Sequence, residues 1–158
     1  MRISFTLQGD VTGDELRTLL EVLGTMARIA LLVVREDLGL SDRASAVLAE
    51  LDPFLVRKSR GSCWPGTALI GDDALLLEYE FNTPCRLALL RYSNGLFSWQ
   101  QPASPEDLCL LRSDGSVLMG TVAHERDAFF ELTDAEAAVL WDAMPNLPAR
   151  LIAAAADI

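Results

Sequence analysis

The side chains able to do nucleophilic or acid–base chemistry are few and scattered. His124 is the single histidine, and in His124-Glu125-Arg126-Asp127 it stands among charges where one strand ends and the next begins. Three cysteines, Cys63, Cys85 and Cys109, are its possible partners. A Cys–His pair needs a thiol whose pKa is lowered by nearby positive charge or a helix N-terminus. None of the three sits in a nucleophile elbow, and G-x-S-x-G does not occur. An odd number of cysteines cannot all pair within one chain, and there is no C-x-x-C spacing, so the thiols read as reduced and mostly buried rather than as a zinc knuckle. The P-loop, dinucleotide, H-E-x-x-H and EF-hand patterns are missing too. No cofactor, metal or catalytic residue is therefore assigned. A small enzyme or ligand-binding module built on His124 stands as one alternative.

Carboxylates are the abundant chemistry. The 158 residues carry 23 Asp+Glu against 13 Lys+Arg, a formal charge of −10. The imbalance is uneven: residues 1–60 hold nine acids and eight bases, and residues 61–158 hold fourteen acids and five bases. Such a chain repels phosphate backbones and anionic membrane surfaces, so neither nucleic acid nor membrane is expected as a partner. Two acidic clusters stand out. Asp72, Asp73, Glu78 and Glu80 share a predicted hairpin, with Glu78 and Glu80 on one face by the strand period. Glu125, Asp127, Glu131, Asp134, Glu136 and Asp142 crowd a strand and the helix after it, relieved only by Arg126. Neither cluster has a D-x-D or E-x-x-H frame for metal or acid–base work, and the functional reading is a docking surface for an Arg/Lys-rich protein. Trp64, in the turn-rich Ser62-Cys63-Trp64-Pro65-Gly66, and Trp99, out of phase with Phe97, supply candidate aromatic anchors. The predicted partner-binding residues are Asp72, Asp73, Glu78, Glu80, Trp64, Trp99 and Glu131.

These residues need elements to position them. Thr12-Gly13-Asp14-Glu15 has the form of a capping box. Leu16, Leu19, Leu20, Leu23, Ala27, Ala30, Leu31 and Val34 continue at helical spacing, which predicts a buried first helix with Gly24 as its weak point. Ile29–Val34 is alternatively a buried strand if that helix stops early. Ser41 caps a second helix ending at Asp52-Pro53. From Thr67 the period shortens to two. Strands are expected at Thr67–Ile70, Ala74–Asn82, Cys85–Ser93, Leu96–Trp99, Leu108–Arg112, Val117–Ala123 and Asp127–Leu132, with Asn94-Gly95 and Asp114-Gly115 as hairpin turns. A second capping box, Thr133-Asp134-Ala135-Glu136, opens a helix closed by Pro145, and Asn146 with Pro148 begins a short last one.

The fold expected is one α+β domain spanning residues 1–158. It has N-terminal helices, a central antiparallel meander of six or seven short strands, and C-terminal helices packed on one face of the sheet. The N-terminus meets Asp10 too early for a secretory leader, and no apolar run approaches the ~18 residues of a membrane span. A cytoplasmic address is expected. The function expected is a stoichiometric inhibitor of a basic protein such as a toxin or effector, with the general character of an immunity protein or antitoxin. A secretion-chaperone-like homodimer is the alternative suggested by the broad apolar surface of the predicted first helix.

Overall fold

The computed structural model describes residues 1–155. Leu16, Leu19, Leu20 and Leu23 bury one stripe of helix α1, Gly13–Leu23. The helix then stops at Gly24 instead of running on to Val34, because Ile29–Val34 forms strand β2. The reason is that this run serves two cores. Leu32 and Val34 enter the main core, while Leu31 and Val33 enter a second cluster on the opposite face of the sheet. Only the two-residue alternation of a strand divides successive side chains in that way. Thr12 stands at the α1 N-cap without a side-chain hydrogen bond, so the expected capping box does not form. The Gly13 amide donates to the Asn94 carbonyl at 3.0 Å instead.

Around this start the chain runs β1 (Arg2–Leu7), α1, β2, α2 (Asp42–Leu51), β3 (Leu55–Gly61), a small hairpin of β4 (Cys63–Trp64) and β5 (Thr67–Ala68), and β6 (Ala74–Glu80). It continues through α3 (Thr83–Tyr92), β7 (Glu106–Leu111), β8 (Val117–Val122), β9 (Asp127–Thr133), α4 (Asp134–Ala143) and β10 (Leu151–Ala153). Eight strands form one antiparallel sheet in the order β10-β1-β9-β8-β7-β2-β6-β3. All four helices contribute to the main core, through Leu19, Val47, Leu89 and Leu140 among others, so they share one face of the sheet. The class is α+β with helices on one side, but helices and strands are interleaved along the chain.

Several elements differ from the sequence expectation. Cys85–Ser93 is not a strand. Asn82 accepts from the Cys85 amide at 2.9 Å, Pro84 sits in the first turn, and Cys85, Ala88 and Leu89 bury one side of α3. Leu96–Ser98 is a single 3-10 turn rather than the second arm of a hairpin. The last predicted helix shrinks to one 3-10 turn at Pro148–Arg150, followed by β10. Strands β1, β3 and β10 complete the sheet outside the predicted meander. The capping box of α4 does form: the Glu136 amide donates to the Thr133 hydroxyl at 3.2 Å, and the Thr133 amide donates to the Glu136 carboxylate at 2.9 Å.

Candidate functional site

Three places bring polar chemistry together. The first is a buried knot where β7 begins. Glu106 and Asp107 are 1% and 4% exposed, an unusual fate for adjacent carboxylates. Asp107 adopts a left-handed backbone, φ +53°, which Asp tolerates better than most residues. This turns its carboxylate between two donors, the Trp64 indole at 3.0 Å and the Ala123 amide at 2.9 Å. Glu106 accepts from the Gln101 amide and lies 2.9 Å from His124 Nε2. The Gln101 side chain in turn pairs with the Arg35 backbone, accepting from its amide at 2.7 Å and donating to its carbonyl at 2.9 Å. Burial pushes the Glu106 carboxyl up; the Asp107 charge adds to this, while the Gln101 amide and His124 oppose it.

A half-exposed imidazole oriented by a buried carboxylate is the frame of a general base, but a reaction also needs a nucleophile and a space for substrate beside it. Burial pushes both the Cys85 and the Cys109 thiols up to about 12, which keeps them protonated. Cys109 donates its thiol to the Asp107 carbonyl at 3.3 Å. The two cavities described below lie away from His124. Among the described residues no group of three His, Cys, Asp or Glu side chains is arranged to hold a metal ion. What the knot does is tie the β4–β5 hairpin, the 99–107 loop and the turn at His124 to one another.

The second place is the acidic segment predicted as a hairpin, which does not form as one: β5 pairs with β4, and β6 pairs with β2 and β3. Trp64 and Trp99 do not serve it as exposed anchors: they are 7% and 1% exposed, Trp64 inside the second core cluster and Trp99 in the main one. Asp72 and Asp73 occupy the exposed turn before β6, where an open space of about 600 Å³ is lined by Ser62, Leu69 and these two residues. Asp73 pairs with Arg60 at 3.1 Å and Glu78 with Arg57 at 3.5 Å, both from the neighbouring strand β3. Arg60 also bridges to Glu36. The carboxylates at Asp72 and Glu80 have no basic partner among the described residues. Glu131 is far from this group, half-buried on β9 opposite Ser4 of β1. The structure thus separates Glu131 from the hairpin and neutralises half of the hairpin's acids. The missing signal is β3, whose Arg57-Lys58-Ser59-Arg60 lacks the apolar–polar alternation of a half-buried strand.

The third place joins Asp134 and Asp142 of the second predicted acidic cluster to carboxylates on α1. Asp14 and Glu21 on α1, and Asp134 and Asp142 on α4, are exposed and without basic partners among the described residues. Where the start of α1 meets the end of α4 there is a cavity of about 280 Å³, with Met144 and Leu147 beneath and Asp14, Glu15 and Arg150 at its rim. Arg150 donates to Glu15 at 2.9 Å and to the Asp10 carbonyl. The capping motifs at Thr12 and Thr133 marked where both helices start, but nothing in their sequences showed that the two pack side by side.

Glu136, within the second predicted acidic cluster, is committed elsewhere. Its two oxygens accept from Arg112 at 2.9 and 2.6 Å, and that bidentate pair holds its carboxyl down to about 2. Comparison with protein-family models, curated proteins and solved structures finds no match for the chain. No helix among the described residues is long and apolar enough to cross a membrane.

Proposed function

We propose that this chain is a protein-binding domain that holds a basic protein partner stoichiometrically, in the manner of an immunity protein or antitoxin. The observation that carries this reading is the helical face. Asp14, Glu21, Asp134 and Asp142 lie exposed on two adjacent helices and form no ion pair among the described residues, with Arg17 the exposed base between the two acids of α1, and Asp14 lines a groove with an apolar base. Unpaired carboxylates on a rigid face attract a basic protein at long range and fix its orientation on contact. The hairpin contributes less, since Arg57 and Arg60 already occupy Glu78 and Asp73. The homodimer alternative loses its motive, because the apolar stripe of α1 packs into the chain's own core.

Charge reversal on the helical face tests the proposal. The double variant Glu21→Lys, Asp142→Lys should keep its circular dichroism spectrum and lose most of a basic partner that the wild-type chain retains from an extract of its native host at low salt. Asp72→Lys, in the exposed turn before β6, should retain it. Undiminished capture by the double variant would move the interface off the helices.

A further inference from the structure

The cavity between α1 and α4 is small. At about 280 Å³ it lies just below the ~300–1,000 Å³ of pockets that enclose whole small-molecule ligands, which matches a side chain better than a cofactor. Its base is apolar: Met144 is 8% and Leu147 2% exposed. Its mouth is negative. Asp14 stands there exposed and without a basic partner among the described residues, whereas neighbouring Glu15 is held by Arg150. α4 ends at the same point with no basic residue in its last turn, leaving the negative end of its peptide dipoles uncompensated by a side chain of its own. An occupant lying along the open groove has to be apolar where it faces the base and cationic where it meets the rim. Arginine and lysine have that construction, an aliphatic stem beneath a charged head.

Resting on the protein-binding reading above, we infer that this groove seats an arginine or lysine side chain of the basic partner, its stem on Met144 and Leu147 and its cation against Asp14 and the end of α4. A second copy of this chain, with a formal charge of −10, is disfavoured as occupant by like-charge repulsion.

The test is an NMR titration of the isotope-labelled full chain at low salt, with an end-capped peptide of alternating arginine and leucine as probe. The same peptide with glutamate replacing arginine is the control. Shifts should centre on residues 14–18 and 143–147, and the glutamate peptide should leave them unmoved. Asp14→Lys should weaken binding roughly fivefold, the upper range for an exposed charge pair. Ala143→Trp, or Thr18→Trp should the first variant fold poorly, fills the space and should remove the groove shifts. Binding that centres on the β3–β6 edge and is weakened by Asp72→Lys but not by Asp14→Lys would overturn the groove and leave the protein-binding reading standing. Binding of neither peptide would count against both. Equal binding of the glutamate peptide, or groove shifts that grow with protein concentration alone, would also overturn the assignment, the latter in favour of a second copy.

Discussion

Two side chains show how far a single residue's surroundings decide its role. Glu136 belongs by sequence to an acidic cluster, yet Arg112 grips both its oxygens and also donates to the Glu131 and Val117 carbonyls, each at 2.6 Å. The pair pins α4 to the β7–β8 hairpin. Because the folded carboxyl is held at about 2, below an unfolded value of about 4.3, the ionised form favours the folded state. That stabilisation is fully present above about pH 5 and is lost as pH falls through the folded value. Arg112→Ala should lower the unfolding free energy by about 3 kcal/mol at neutral pH, and flatten the acid limb of stability measured by urea denaturation across pH. A variant with an unchanged acid limb would show that the pair contributes little. Trp64, a candidate interface anchor by sequence, is instead the donor that satisfies buried Asp107. Trp64→Phe keeps the apolar contact and leaves a buried carboxylate oxygen without its partner, at a cost of about 1–3 kcal/mol. A denaturation midpoint equal to wild type would contradict this.

At the scale of elements, the clearest sequence signals were those whose local chemistry matched their tertiary use. Thr133 and Glu136 cap α4 as their spacing predicts, and Asp114-Gly115 turns β7 into β8, with Gly115 at φ +84°. Asn94-Gly95 carries the same kind of turn signal and misleads, because Gly95 has an extended backbone, φ −159°. It is needed for closeness: a Cβ there would lie 2.4 Å from the Asp10 carboxylate. With that turn removed, Asn82, Pro84 and the Cys85-Ala88-Leu89 spacing read as the helix they form. β3 was hidden because it is an edge strand with a bulge, its register shifting between Leu55 and Arg57, so it shows charges where a central strand alternates. Those charges guard an unpaired edge against strand addition. Replacing Arg57, Lys58 and Arg60 by threonine should therefore increase concentration-dependent association, measured by light scattering after size exclusion. It also frees Asp73 and Glu78, so an unchanged association state would show that the edge needs no guard.

For the whole molecule the governing quantity is charge and where it is left uncompensated. The excess acid of residues 61–158 falls by sequence into two clusters, one from Glu125 to Asp142 and one on the predicted hairpin of Asp72, Asp73, Glu78 and Glu80. The fold brings the basic β3, from the evenly charged first part, against that hairpin and leaves α1 and α4 with the open carboxylates. No sequence pattern carried this pairing, since it depends on which strands and helices become neighbours. Whether a basic protein is held electrostatically is read from the affinity of the purified complex as a function of salt concentration. That affinity should fall steeply as salt rises, mostly through a slower association rate, with a shallower fall for the Glu21→Lys, Asp142→Lys variant. An affinity that is the same at low and high salt would contradict it.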